Sequence, residues 1–175
     1  MNGVVARPQE PIVLLPEMME NVTYDELEIG RSASATHLVS TRDILLFAAV
    51  SGDVNPAHLD ADYAEASMFK GVIAHGMLSA GWVSALLGTT LPGPGTIYLQ
   101  QDLRFCRPVR PGDTVTVTVT VAAKNDEKKQ ITFDCRCTNQ AGKDVILGTA
   151  LVIAPAEKIR RPRPQLPTVR IDATL

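Results

Sequence analysis

Cysteine is scarce in this chain: Cys106, Cys135 and Cys137 are all it has. Three unevenly spaced thiols do not make the disulfide framework of a small secreted domain, so a reducing compartment, the cytoplasm, is expected. Long apolar runs are missing as well. Near the N-terminus the longest is Ile12-Val13-Leu14-Leu15, closed off by Pro11 and Pro16 and far short of a signal-peptide core. Nothing approaches the roughly 20 continuous apolar residues of a transmembrane helix, and no membrane partner is expected. Positive charge is not in excess either, the formal net charge being −2. Residues 155–175 carry Lys158, Arg160, Arg161, Arg163 and Arg170 against Glu157 and Asp172, which leaves −5 for the rest. A net-negative body has no general attraction for phosphate backbones, so nucleic acid is excluded from the expected partners. The basic stretch reads as a solvated linker.

With 175 residues, 45% of them hydrophobic and 21% charged, the chain has the length and balance of one globular domain with tails. Residues 1–22, with Pro8, Pro11 and Pro16 and no periodicity, read as an extended arm; 23–154 form the domain; 155–175, with Pro155, Pro162, Pro164 and Pro167, form an extended tail. A β-compatible stretch from Ser32 to Val39 runs into Ser40-Thr41-Arg42-Asp43, a capping box with Asp in place of Glu, so a helix should follow with Ile44, Phe47, Ala48 and Ser51 on one face. A short polar helix is expected over Ala61 to Ser67. From Gly76 to Leu87 apolar residues surround nearly the whole helical circumference, and Gly88 sits where a C′ residue belongs. Such a helix should be buried. Strands follow at Tyr98–Phe105, at the strict Thr/Val alternation of Thr114–Val121, at Ile131–Cys137, and, after the turn Asn139-Gln140-Ala141-Gly142, at Val145–Ile153. An apolar helix followed by antiparallel strands calls for an α+β layout in which the sheet wraps the helix, the shape of a hot dog.

Chemistry concentrates in Asp53-Val54-Asn55-Pro56-Ala57-His58, where a carboxylate, an amide and an imidazole fall within six residues. The proline interrupts regular helix, so these side chains are expected to converge from a loop. Downstream, Ala74-His75-Gly76-Met77 leads into the apolar helix, whose first amides have no intrahelical acceptor. The Gly76 amide is placed to stabilise a developing oxyanion. His75 reads as filling a polar niche and His37 as a surface residue. Cys135 and Cys137 share one strand face without a second ligand pair, so no metal site is expected there.

The stretch Phe47 to His58, through Ser51-Gly52-Asp53-Val54-Asn55-Pro56-Ala57-His58, resembles the hydratase-2 motif of the MaoC-like family, the R-specific enoyl-CoA hydratases. Ala74 to Leu78, Gly95 to Leu99, Phe105, Pro108-Val109 and Gly112-Asp113 resemble the rest of its single-domain members over residues 23 to 154. The resemblance implies a homodimer of hot-dog subunits that hydrates a trans-2-enoyl-CoA to a (3R)-3-hydroxyacyl-CoA. Coenzyme A is then part of the substrate, and no separate cofactor is implied. By position, Asp53 and His58 hold and activate the water, Gly76 polarises the thioester carbonyl, and Asn55 orients the water or the loop. Arg104, Arg107, Arg110 and Lys70 are candidates for the phosphates of coenzyme A. The tail resembles the region that follows this domain where it is fused to a phosphate acetyl- or butyryltransferase. Two other readings therefore stay open: a non-catalytic acyl-CoA-binding or assembly module of such a fusion, which would bind without hydrating, and an acyl-CoA thioesterase, which would release free thiol.

Overall fold

The computed structural model describes residues 17–171. Pro8, Pro11, Pro16 and the run Ile12 to Leu15, expected to form an extended arm, lie outside them. Among the described residues the chain runs β1 (Met18–Glu20), a 3-10 turn (Tyr24–Glu26), β2 (Ser32–Leu38), α1 (Thr41–Ser51), α2 (Pro56–Leu59), α3 (Ala61–Ala66), α4 (Gly76–Thr89), β3 (Ile97–Phe105), β4 (Thr114–Asn125), β5 (Gln130–Asn139), β6 (Asp144–Ile153) and β7 (Arg160–Pro162).

Five strands form one antiparallel sheet in the order β2-β4-β5-β6-β3. The Thr/Val alternation of β4 sorts its two faces. Val115, Val117, Val119 and Val121 are buried with Phe133, Cys135 and Cys137 of β5. On the other face Ser34 meets Thr118 at 2.8 Å and Thr36 meets Thr116 at 3.0 Å, a ladder of hydroxyl pairs. Where β6 passes β3, a side chain at Gly148 would come within 1.9 Å of the Asp102 carbonyl, so only glycine fits that crossing. The α4 helix lies across the apolar face against β4, β2 and β3, which is the α+β hot-dog arrangement expected.

Several expectations need correction. The apolar circumference of α4 is only half covered within the chain. Ser79, Ala80, Val83, Leu86 and Leu87 point inward, whereas Met77, Gly81, Ser84, Ala85 and Gly88 are exposed, because the sheet curls around one side only. Gly88 is not the C′ residue. The helix continues to Thr89, and the Thr90 and Leu91 amides both turn back to the Leu86 carbonyl. Of the face read on α1, Ile44 and Ala48 are buried while Ser51 is exposed, its hydroxyl donating to the Phe47 carbonyl. The capping box is formed, with the Asp43 carboxylate accepting from the Ser40 amide at 2.8 Å. His37 is not simply at the surface: its ring stacks on Trp82 at 4.6 Å between centroids, and burial lowers its pKa.

The tail does not leave the body as a linker. Strand β7 pairs antiparallel with β1, Met18 opposite Pro162 and Glu20 opposite Arg160. Between them Lys158 reaches Glu26 at 2.8 Å and Glu20 at 3.3 Å. Part of the tail's positive charge is thus spent inside the chain.

Candidate active site

The Asp53 loop is built from its ends inward. Helix α1 stops at Gly52, which takes a left-handed conformation (φ 75°) and returns its amide to the Ala48 carbonyl. The Asp53 carboxylate then accepts from the Asn55 amide at 3.1 Å, and the Asn55 side-chain carbonyl accepts from the Ala57 amide at 3.1 Å. Asn55 is therefore the N-cap of α2. Pro56, read as a breaker that leaves His58 in a loop, instead opens this one-turn helix, because the first helical position needs no amide donor. His58 sits in that turn, and its Nδ1 lies 2.8 Å from the Ile73 carbonyl. A carbonyl only accepts, so Nδ1 carries the proton and the neutral ring keeps its lone pair on Nε2.

The segment before α4 closes the site. Ile73 and Ala74 are held by the Ala57 and Val109 carbonyls at 3.2 and 2.7 Å. His75 is the N-cap residue of α4, buried, with Nε2 3.0 Å from the backbone carbonyl of Asp53. Its ring lies 3.9 Å from that of His58 and 4.9 Å from that of Phe47, centroid to centroid. Gly76 follows as the first residue of the helix. Phe105 covers it so closely that a Cβ there would fall 2.7 Å from the ring, so glycine is what lets the aromatic wall and the helix start coexist.

Asp53, His58 and His75 each bring one oxygen or nitrogen to within 4.8 Å of the others. Such a trio can surround one small polar species, a water or a cation. Beside it opens a cavity of about 430 Å³ walled mainly by apolar groups, among them Ile73, Met77, Phe105, Val109 and Ile146. It is an apolar slot with a polar floor where α4 begins. That suits a substrate with a hydrocarbon arm and a carbonyl aimed at the first amides of a helix.

The other candidates divide. Arg107 lines this cavity and donates to the Asp144 carbonyl at 2.6 Å. Arg110 is turned away to the Phe69 and Lys70 carbonyls, where it braces the loop after α3. Arg104 and Lys70 are exposed. Cys135 and Cys137 are buried in the sheet, and burial pushes their thiols up to about 11 and about 12, which makes them inert packing. Two features escaped the sequence reading. The carbonyl of Asp53 as the partner of His75 carries no residue-type signal. The pairing of β1 with β7 is hidden by prolines and charges.

A family model described as the MaoC like domain matches residues 25–141. An (R)-specific enoyl-CoA hydratase of Rhodospirillum rubrum is 56% identical over 133 residues, 76% of this chain and 92% of that protein. The (R)-specific enoyl-CoA hydratase of Aeromonas caviae is 42% identical over 74% of this chain and 96% of its own length. Among solved structures, R-hydratase PhaJ1 from Pseudomonas aeruginosa, unliganded, superposes with a TM-score of 0.84 at 49% identity, covering 88% of this chain and 99% of that one.

Proposed function

The chain belongs to the MaoC-like domain family, and on that premise we propose that it is an (R)-specific enoyl-CoA hydratase, a hydro-lyase that adds water to a trans-2-enoyl-CoA. The observation that carries this reading is the meeting of Asp53 and His58 at the start of α4, beside an apolar cavity. Water held between the two is activated by proton transfer to this pair as its oxygen attacks the β carbon. The Nε2 lone pair of His58 and the carboxylate oxygen of Asp53 not engaged by Asn55 are the available acceptors. Charge then builds on the thioester oxygen, and the Gly76 amide, with no intrahelical acceptor, is the donor for it. The proton returns to the α carbon, giving the 3-hydroxyacyl-CoA. Asn55 acts by capping α2 and so fixing the distance from Asp53 to His58.

No metal or redox cofactor takes part in this reading; coenzyme A enters with the substrate, and Arg107 at the cavity wall is the first candidate to meet its phosphates. The cytoplasm is proposed on the three free cysteines, and no helix among the described residues is long and apolar enough to cross a membrane. A homodimer is proposed on two surfaces. Strand β3 is a nine-residue edge with Ile97, Tyr98, Leu99 and Phe105 exposed, and α4 leaves its small-residue stripe uncovered. Sedimentation of the wild type and of Leu99→Lys tests it, the variant being expected to shift to monomer.

The decisive experiment is spectrophotometric hydration of crotonyl-CoA and longer enoyl-CoA thioesters, with the configuration of the product determined. Hydration to the 3R product, unaffected by a chelator, is expected. Tight acyl-CoA binding without turnover would favour the module attached to a phosphate acyltransferase, and release of free thiol would favour the thioesterase.

A further inference from the structure

We propose that His75 is a positioning residue for the hydration step, holding Asp53 and His58 in register through the bond from its Nε2 to the Asp53 backbone carbonyl. This rests on the hydratase reading and deepens it. His75 is 2% exposed. Its Nε2 faces a backbone carbonyl at 3.0 Å, an acceptor only, so Nε2 carries the proton. In the neutral ring Nδ1 then holds a lone pair, and this atom is buried with no hydrogen-bond partner, the one side-chain nitrogen or oxygen among the described residues in that state. With Nε2 engaged by that carbonyl, His75 acts by position, and proton transfer is left to Asp53 and His58.

An unpaired buried polar atom weakens a fold, so a residue that keeps one calls for a reason other than stability. His75 touches each part of the site. It donates to the Asp53 carbonyl, lies against the His58 ring at a tilt of 34°, packs on Phe47 and immediately precedes Gly76. Residues 52–55 are exposed, and their other hydrogen bonds run only within the loop or to its flanking helices. Beside the bonds that join α2 to Ile73, the His75 bond is thus the direct tie between residues 52–55 and the start of the helix bearing the oxyanion donor. Displacement of one reacting group by about 1 Å can cost about 100-fold in rate, and that is the effect at stake here.

The test compares His75→Phe, which keeps a ring but removes the donor, with His75→Gln, whose terminal amide can reach the Asp53 carbonyl. Both are made in the full chain and assayed for kcat, KM and thermal midpoint with crotonyl-CoA. The expected result for His75→Phe is a kcat lower by about 100-fold with KM changed by less than about threefold and no loss of thermal stability. His75→Gln should recover at least about tenfold of that kcat. Should Phe prevent folding, His75→Leu takes its place in the same comparison. A purely structural histidine would show the reverse pattern, a lowered midpoint with kcat retained, and that would overturn the proposal. So would a Gln variant no faster than the Phe or Leu variant. A wild type that hydrates while His75→Phe matches it sinks the role of His75 alone; a wild type with no hydration sinks the hydratase reading and this inference together.

Discussion

At its C-terminal end α4 runs into a clasp whose buried amide has a partner at both its oxygen and its nitrogen, whereas at its N-terminal end His75 keeps a buried nitrogen without a partner. The clasp is centred on Asn21, 1% exposed, whose side chain donates to the Glu157 carbonyl at 2.9 Å and accepts from the Ile159 amide at 2.9 Å. Its own carbonyl takes the Lys158 ammonium at 2.8 Å, and the next residue, Val22, bonds the Pro92 carbonyl just after the helix. At the other end Asp53 and Gly76 are exposed and His58 is half-buried, with hydrogen-bonding capacity left over. Partnered polar atoms mark the end that fastens the terminal segments. Unsaturated bonding marks the end that waits for a reactant. The same helix serves both purposes because Val83, Leu86 and Leu87 between them are buried against the core.

Substitutions at the two ends should separate rate from stability. The largest effect is expected from Asp53→Asn and His58→Gln, each lowering kcat for enoyl-CoA hydration by roughly 1000-fold with the thermal midpoint essentially unchanged. Rates near wild type in both variants would break the comparison at its functional end. Asn21→Ala should do the opposite. It strands the Glu157 carbonyl and the Ile159 amide, costing about 2 kcal/mol in a denaturant titration while kcat per folded molecule is retained. A smaller and pH-dependent effect belongs to Lys158→Met. The hydrogen bond from Lys158, followed by those from Thr23, lowers the Glu26 carboxyl from its ordinary 4.5 to about 2. A carboxyl lowered in the folded state contributes stability above its unfolded value and loses it as the pH falls toward the folded one. The gap in thermal midpoint between wild type and Lys158→Met should accordingly be widest above pH 4.5 and narrow between 4.5 and about 2. A gap that is flat across this range would remove Glu26 from the clasp.

Most of the sheet was legible because alternation is a local signal. The valines of β4 and the apolar residues of β5 fell on one face as their period of two requires, and the Ser40/Asp43 capping box opened α1 where expected. The candidate site was legible for a different reason: Asp53, Asn55 and His58 lie within six residues, so one turn is enough to bring them together. Less was visible where a choice depended on distant chain. Pro56 can break a helix or begin one, and the Asn55 cap decided for beginning. His75 read as filling a polar niche, and that the niche is lined by a main-chain carbonyl 22 residues away carried no residue-type signal.

By itself the sequence determined the α+β class, the inward sets of β4 and β5, the apolar character of α4 and the residue types available for moving a proton. These follow from short-range periodicity and composition. Only the tertiary structure decided that one side of α4 stays open, that the basic tail turns back onto β1, and that His58 and His75 face each other with one nitrogen apiece tied to a carbonyl. Those outcomes hinge on backbone groups, which are the same at every residue and so leave no mark in the order of side chains.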